Sequence, residues 1–364
     1  MLDRFVRLCE IPSPTGEERA VADAVGSELR ELGVAVEEDS AAGAARAGAG
    51  NLIARIPGER DAWVMLASHL DTVPHDDPVK VVLDGGVFRS RGATILGADN
   101  KAAVTVLAEL AVRHAATPPP IGLELVFTVA EERGLRGARE LDLGGLRSEV
   151  GLVLDHAGPL SELVIAAPTY HQLVAEFAGL EAHAGIEPEA GRSAIAAACA
   201  AVASMKVGRL DAETTANVGT IAGGTASNVV AGSCRVEAEA RSLDAERAGE
   251  VIGAMSDACT WGATEHDVDV DVDLTQLFRG YRLPSGSAAL GLARSALTAC
   301  GLRPVEVATG GGSDVNALRE RGFDCALLSN GSERNHTAEE SITIERLTGL
   351  HRLAGAAVEA AAAC

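Results

Sequence analysis

The sequence has few aromatic residues, no excess of positive charge and no cysteines in CxxC spacing. Phe, Trp and Tyr make up 3% of the 364 residues, whereas 47% of the residues are hydrophobic, which predicts an aliphatic, alanine-rich core. Asp and Glu outnumber Lys and Arg by 52 to 31, giving a formal net charge of -21. Because phosphate backbones and anionic membranes are bound by basic surfaces, we expect no nucleic-acid partner and no membrane partner.

Other missing features concern targeting and phosphate binding. The 7 cysteines are odd in number and lack CxxC pairs, which argues against a disulfide framework and predicts a cytoplasmic location. The stretch Met1 to Phe5 does not resemble the basic start of a signal peptide. The longest apolar helix-like run, Ala194 to Met205, is too short to span a bilayer. The loop 309–314 lacks the Gly-Lys-Ser/Thr ending of a phosphate loop.

Length and hydrophobic pattern predict two domains. Residues 1–166 and 277–364 show apolar strands between helices, which indicates an α/β fold with a mixed, mostly parallel sheet and helices on both faces. Residues 167–276 contain two helical segments and several alternating strands, which predict an inserted α+β domain. Near the N-terminus we expect a capping box formed by Thr15 and Glu18, and a loop from Ala41 to Gly50.

Two adjacent glutamates, Glu131 and Glu132, follow an apolar run from Ile121 to Ala130 that is typical of a buried parallel strand. Open α/β sheets bind ligands at the carboxyl ends of their strands. Neighbouring residues that leave a strand point to opposite sides, so one glutamate can ligate a metal while the other handles a proton. The alternative is a solvated pair that opens the next helix, where acidic residues favour the positive end of the dipole.

Three more segments place polar residues at the ends of strands or the starts of helices, and a fourth places a histidine in a loop. His69 and Asp71 share one side of a strand end, which fits a ligating imidazole whose second nitrogen is held by a carboxylate. Asp99 precedes a helix, where an N-cap is the alternative. Asp155 ends another buried strand. His336 lies in a polar loop, where a surface histidine is the alternative.

Imidazole and carboxylate groups are the ligands that zinc-like metals prefer. The predicted ligands are His69, Asp99, Glu132, Asp155 and His336. Two divalent ions, three carboxylates and one bridging hydroxide have charges that cancel. We therefore predict two divalent metal ions, zinc first, with cobalt or manganese as alternatives. Glu131 is not needed as a ligand and is left as the general base.

Several motifs, in this order, resemble those of the peptidase T branch of the dinuclear zinc exopeptidases. They are Ser-His-Leu-Asp-Thr-Val, Leu-Gly-Ala-Asp-Asn-Lys, Thr-Val-Ala-Glu-Glu-Arg-Gly, Leu-Asp-His and Asn-His-Thr-Ala-Glu-Glu. The family also includes carboxypeptidase G2-like enzymes, dipeptidases and amino-acid deacylases. The resemblance covers essentially the whole chain, although Asn100 stands where peptidase T has a second Asp.

The resemblance implies a two-zinc metallopeptidase with the zinc exopeptidase fold, which cleaves short peptides at a terminus as an aminopeptidase or tripeptidase does. One zinc would be held by His69 and Asp155, the other by Glu132 and His336, and both by Asp99. Asp71 would orient His69, and Glu131 would activate the attacking water. An N-acyl amino acid deacylase with the same centre, and an inactive relative that binds peptides, remain as alternatives.

The resemblance further implies that residues 167–276 form a lid that also joins two copies into a homodimer. Residues at matching positions contact substrate in relatives, namely His183, Asn228, Arg241, Gly311 and Gly312.

Overall fold

The computed structural model describes residues 1–363, and Cys364 lies outside the described residues. The chain divides into two compact units. The first comprises Met1–Ala166, Arg282–Ala308 and the segment from Ser313 through the last helix, and the second comprises Ala167–Tyr281 with the loop Thr309–Gly312. The sequence-based limits had put residues 277–281 and this loop in the first domain.

The described residues contain ten α-helices and seventeen strands. The helices are α1 (Leu2–Cys9), α2 (Arg19–Glu31), α3 (Ala41–Ala45), α4 (Ala98–Ala116), α5 (Arg136–Glu140), α6 (Ala194–Ser204), α7 (Ala245–Glu265), α8 (Ala288–Ala299), α9 (Asp314–Glu320) and α10 (Ile344–Ala363). The strands are β1 (Ala35–Glu38), β2 (Leu52–Ile56), β3 (Arg60–His69), β4 (Val81–Asp84), β5 (Val87–Ser90), β6 (Ile121–Thr128), β7 (Val150–His156), β8 (Glu162–Ala167), β9 (Thr169–Ala178), β10 (Gly208–Arg209), β11 (Thr214–Gly223), β12 (Ser233–Ser242), β13 (Asp269–Phe278), β14 (Tyr281–Arg282), β15 (Val305–Ala308), β16 (Asp324–Ser329) and β17 (Ser341–Thr343).

The main sheet has the order β1-β2-β6-β3-β7-β16-β8-β14, and β15 pairs with β8. Its central strands β6, β3, β7 and β16 are parallel to one another, whereas β2 is antiparallel to β6. Parallel strands end at the same edge of a sheet, so β3, β6 and β7 deliver their following residues side by side. The predicted mixed, mostly parallel sheet is confirmed.

The core of the first unit explains why these segments form strands and a buried helix. All eight residues of β6 are buried, so an apolar run without alternation is what this central position requires. Helix α4 is rich in Ala and Val and is buried along most of its length. Each large apolar side chain buried here contributes roughly 1.5–3 kcal/mol to the free energy of folding. This packing holds in place the strand ends that carry the polar residues.

The second unit is an antiparallel sheet with the order β10-β11-β12-β9-β13, accompanied by α6 and α7. Strand β12 alternates between exposed and buried positions, with Cys234, Val236, Ala238 and Ala240 in the core of this unit. Ser193 caps α6 and Asp244 caps α7 through side-chain oxygens that accept backbone N–H groups. The predicted α+β character of this region follows from these elements.

Two local predictions were wrong. Thr15 and Glu18 form no capping box, because the Thr15 hydroxyl donates to Asp71 and the Glu18 carboxylate accepts from the backbone N–H groups of Gly16 and Gly48. The expected loop after Ala41 begins instead with the short helix α3, whose alanines have the highest helix propensity. Among residues 1–363, no helix is both long and apolar enough to cross a membrane.

Candidate metal centre

One group of ligand atoms forms around the end of β3. Nε2 of His69 lies 3.1 Å from Oδ1 of Asp155, the second-last residue of β7, and 3.4 Å from Oδ1 of Asp99. His69 is 2% exposed, so its imidazole is fixed inside the protein. We call His69, Asp99 and Asp155 the His69 site, and one atom from each lies within 4.8 Å of the others.

A second group forms around the loop after β16. Nε2 of His336 lies 3.0 Å from Oε1 of Glu132 and 3.3 Å from Oδ2 of Asp99. We call Asp99, Glu132 and His336 the His336 site, which meets the same 4.8 Å criterion. His336 is 48% exposed, yet its ring nitrogen faces two carboxylates, which an isolated surface histidine would not do.

Asp99 belongs to both sites and uses a different oxygen in each. It does not cap a helix in the ordinary way, because Asp99 and Asn100 have non-helical backbone angles at the start of α4. The peptide bond between them is cis. The backbone N–H of Asp99 donates to the carboxylate of Glu340 at 2.8 Å, so the carboxylate of Asp99 is free to face the two histidines.

Asp71 connects the two sites through the backbone. Its Oδ1 accepts from the N–H of Glu131 at 3.0 Å, and its Oδ2 accepts from the N–H of Glu132 at 3.2 Å. Nδ1 of His69 lies 3.0 Å from the backbone carbonyl oxygen of Asp71 and 3.6 Å from its Oδ1. Ala130 has a φ of 50°, and this left-handed residue turns the chain out of β6 so that both glutamates follow it into the centre. The structure therefore brings together all seven predicted metal and catalytic residues.

The carboxyl groups of the centre repel one another. Burial and the charge of Asp99 raise the pKa of Asp155 to about 8, against the opposing effect of His69. Burial and Asp155 raise the pKa of Glu131 well above its usual value. Burial also raises the pKa of Glu132, although His336 opposes it. Such shifts indicate negative charge that the side chains do not balance by themselves.

The histidines respond in the opposite direction. Hydrogen bonds to Asp99 and Glu132 raise the pKa of His336 to about 10. For His69, burial lowers the pKa, but Asp155 and its other carboxylate neighbours outweigh burial and raise it well above the usual value. For Asp99, burial raises the pKa, and hydrogen bonds to His336 and His69 outweigh that effect and lower it. The carboxylates therefore stabilise positive charge on the imidazoles of His69 and His336.

The donor set fits divalent ions of the zinc type. Ligand atoms of a tetrahedral zinc, each about 2.0–2.1 Å from the metal, lie roughly 3.3 Å from one another. The nitrogen-to-oxygen distances in the two sites span 3.0–3.4 Å. One ligand atom from each of His69, Glu131 and Glu132 also lies within 4.8 Å of the other two. Glu131 is therefore close to the predicted ligands, and its carboxylate can act as a base.

The five predicted substrate residues lie in the second unit, where His183 lies near Asn228 and Arg241 contacts the loop that carries Gly311 and Gly312. His183 pairs with Val229 in an antiparallel bridge, and the N–H of Ala184 donates to the carbonyl of Asn228 at 2.9 Å. The Arg241 guanidinium is bound by Glu239, lies 4.1 Å from the ring centre of Tyr170 and donates to the carbonyl of Gly310 at 3.2 Å.

Gly311 and Gly312 follow Gly310 in the same loop. A Cβ atom at Gly312 would lie 2.2 Å from the Phe278 ring, so this position requires glycine for packing.

Sequence reasoning missed several residues that support the centre. Glu340 accepts hydrogen bonds from the N–H groups of Leu96, Gly97 and Asp99 at 2.8, 2.9 and 2.8 Å. Lys101 is buried and donates to Ser13 Oγ at 2.6 Å and to the carbonyl of Leu70 at 2.7 Å. Both lie inside motifs noted above. The sequence signal was a charged residue within a few positions of a predicted ligand, and the structure shows that both side chains are buried.

Comparison with known proteins agrees with this geometry. The model of Peptidase family M20/M25/M40 matches residues 65–360. The protein YqjE of Bacillus subtilis is 36% identical over 371 residues, covering 100% of this chain and 98% of its own length. The structure of aminopeptidase PepT from Bacillus cereus has a TM-score of 0.84 at 35% identity, with 99% of this chain and 98% of that chain covered.

A tripeptidase structure from Staphylococcus aureus has a TM-score of 0.91 at 33% identity, with 100% of this chain and 98% of that chain covered. The resemblance to the peptidase T branch is thereby confirmed. The family is metal-dependent, and the described residues contain a cluster able to hold metal. The chain belongs to Peptidase family M20/M25/M40 and is a peptide hydrolase.

Proposed function

We propose that this protein is a two-metal exopeptidase that removes the N-terminal residue from short peptides, tripeptides in particular. The observation that carries the proposal is the pair of ligand groups that share Asp99, with Glu131 beside them. The likeness to an aminopeptidase and a tripeptidase over nearly the whole chain supports the substrate class.

The ligand atoms would form two sets, one for each ion, that share Asp99. His69 and Asp155 would hold one ion, Glu132 and His336 the other, and Asp99 both. Zinc is the proposed metal, with cobalt or manganese as alternatives, because imidazole and carboxylate ligands suit all three. When bound, such ions act as Lewis acids that polarise the scissile carbonyl and make water more acidic.

Glu131 is the proposed general base. Its carboxylate takes a proton from the attacking water, whose oxygen forms a bond to the scissile carbonyl carbon, and it then gives that proton to the amine nitrogen as the C–N bond breaks. Burial raises the pKa of Glu131 above its usual value, which makes its carboxylate a better proton acceptor. Asp71 holds the backbone of Glu131 and fixes the position of this carboxylate.

The second unit is proposed to bind substrate and to form a homodimer. His183 would help stabilise the oxyanion, and the remaining contacts to substrate would come from Asn228, Arg241, Gly311 and Gly312. A native mass in solution equal to two chains supports the dimer, and a single-chain mass contradicts it. The cytoplasmic location stays a prediction that is based on the cysteines. The six cysteines that the structure describes are free thiols.

The proposal is tested with a panel of tripeptides, dipeptides, N-acetyl amino acids and N-succinyl amino acids. Chelator-treated protein is assayed with zinc, cobalt or manganese added back. Metal-dependent release of the N-terminal residue from tripeptides, but not from the same peptides with acetylated amino termini, supports the proposal. Hydrolysis of only the acyl amino acids would identify a deacylase, and metal-loaded protein without turnover on any substrate would indicate a peptide-binding relative.

A further inference from the structure

Asp99 is surrounded by side-chain amides as well as by imidazoles. Its Oδ1 lies 3.4 Å from Nε2 of His69 and 3.4 Å from Nδ2 of Asn330. Its Oδ2 lies 3.3 Å from Nε2 of His336 and 2.8 Å from Nδ2 of Asn335. Each oxygen of this shared carboxylate therefore faces one histidine and one asparagine.

Ser332 contacts the side-chain oxygens of both amides. The backbone N–H of Ser332 can only donate, and it donates to Oδ1 of Asn330 at 3.0 Å, so the NH₂ group of Asn330 faces Asp99. The Ser332 hydroxyl lies 2.6 Å from Oδ1 of Asn330 and 2.7 Å from Oδ1 of Asn335. Its single hydrogen serves one of these oxygens at a time. The NH₂ group of Asn335 faces Asp99 because an ionised carboxylate can only accept a hydrogen bond.

The loop that carries Asn335 and His336 is closed and locally strained. Glu333 and Ser341 exchange backbone hydrogen bonds of 2.9 and 3.0 Å, which fix the two ends of the loop. Arg334 and His336 both have positive φ, at 56° and 66°. Non-glycine residues in this region carry a conformational cost, so the surrounding contacts must hold them there. The result is that two consecutive side chains, Asn335 and His336, meet the same oxygen of Asp99.

The two amide contacts differ in strength. At 2.8 Å the Asn335 bond is a good hydrogen bond to a charged acceptor, whereas the 3.4 Å contact of Asn330 is long and weak. Asn330 also lies 3.3 Å from Oδ1 of Asn100, so its hydrogens are divided between two acceptors. An amide carries no net charge, so Asn335 orients Oδ2 without competing with a cation for it.

We propose that Asn335 is a positioning residue that holds Oδ2 of Asp99 toward the His336 site and thereby sets the affinity of that site for its ion. This inference rests on the two-metal centre of the proposed function. Partners that orient a ligand typically change metal affinity about 10–100-fold when they are removed. The effect should be confined to the His336 site, because the His69 site uses the other oxygen of Asp99.

The test compares the parent protein with Asn335→Ala and with Asn217→Ala, which removes an exposed asparagine of β11 in the second unit. Each protein is stripped with a chelator and titrated with zinc in a calorimeter and with cobalt in a visible spectrometer. We expect two ions in the parent and in Asn217→Ala. In Asn335→Ala the first ion should bind as in the parent, and the second about 10–100-fold more weakly, with a changed cobalt spectrum.

Thermal unfolding of the metal-free proteins separates this effect from a loss of structure, since each folded variant should still unfold in one cooperative transition. Two ions bound with parent affinities in Asn335→Ala, or equal weakening of both ions, would overturn the positioning role and leave the proposed function standing. A parent protein that binds one ion or none would overturn both. If Asn335→Ala does not fold, Ser332→Ala is expected to weaken the second ion, and unchanged binding in that variant would overturn the role.

Discussion

Thr15 donates a 2.7 Å hydrogen bond from its hydroxyl to Oδ2 of Asp71, across 56 positions of sequence. The surrounding segment is built into the centre by further bonds. The N–H of Thr15 donates to the carbonyl of Thr72 at 3.0 Å, and the N–H of Thr72 donates to the carbonyl of Ser13 at 2.9 Å. The N-terminal segment thus holds the carboxylate that in turn holds Glu131 and Glu132.

We predict that Thr15→Val, which keeps the shape and removes the hydroxyl, lowers kcat/KM about 10–100-fold, because hydrogen bonds to charged groups contribute ~1.5–3 kcal/mol. The measurement is steady-state hydrolysis of a tripeptide by the two proteins at equal metal content. Thr15→Ser keeps a donor and serves as the control, so it should retain most of the activity. Equal activity of Thr15→Val and the parent would show that the bond does not matter for turnover.

Glu131→Gln is predicted to lose turnover while keeping metal. Removal of a general base typically costs about 10²–10⁴-fold in kcat, whereas the five proposed ligands are unchanged. Metal content is measured by elemental analysis and turnover on the same samples. The control is Glu149→Gln, which changes an exposed glutamate. Parent-like hydrolysis by Glu131→Gln would remove Glu131 from the mechanism.

Metal binding should release protons from the protein, and metal removal should cause the protein to take them up. Hydrogen bonds to Asp99 and Glu132 raise the pKa of His336 to about 10 in the metal-free protein, so an entering ion must displace a proton from this imidazole at neutral pH. We therefore expect metal affinity to increase as pH rises from about 6 to about 8. Calorimetry in buffers of different ionisation enthalpy counts the released protons, and His336→Gln should release fewer. An enthalpy that is the same in every buffer would contradict the prediction.

Asp324 offers a test of stability outside the centre. Its Oδ1 accepts from Ser287 Oγ at 2.7 Å and from Arg319 at 2.6 Å, which ties α8 and α9 to the start of β16. We predict that Asp324→Asn destabilises the protein by roughly 1 kcal/mol at pH 7, since each lost hydrogen bond contributes ~0.5–1.5 kcal/mol and partial exposure weakens the ion pair. Urea unfolding measures this, with the exposed Asp257→Asn as control.

The destabilisation caused by Asp324→Asn should depend on pH in a definite direction. Burial opposes ionisation of Asp324, but Ser287 and Arg319 outweigh it and lower the pKa of Asp324 below its usual value. A carboxyl with a lowered pKa stabilises the folded state above its unfolded pKa of about 3.9, and this contribution is lost as pH falls through the folded pKa. The difference between Asp324→Asn and the parent should therefore shrink in acid. A constant difference from pH 7 to pH 3 would contradict the prediction.

Three of the predicted site residues lie close together for a common physical reason. His69 ends β3, Asp155 lies near the end of β7 and Glu131 follows β6, and the carboxyl ends of these parallel neighbours must meet at one edge. Hydrophobic pattern alone was enough to find those strand ends. The positions of Asp99 and His336 depended on motifs, because no periodic signal places a loop.

The supporting residues could not be predicted in the same way, because their partners are remote in sequence. Thr15 matched a local capping pattern, yet its hydroxyl finds Asp71 only after the N-terminal segment packs beside the end of β3. Glu340 binds the N–H of Asp99 across 241 positions. Helix α3 was missed for a different reason, since its glycine and alanine content fits both a loop and a helix.

The order of the sheet has a consequence for biosynthesis. Strand β16 pairs with both β7 and β8, although it follows them by well over a hundred residues. A growing chain on the ribosome therefore carries His69, Asp99 and Asp155 for a long time before the strand that joins the halves of the sheet is made. His336, Asn335 and Glu340 emerge later still, so the proposed His336 site can form only after β16 and the loop that follows it have been made.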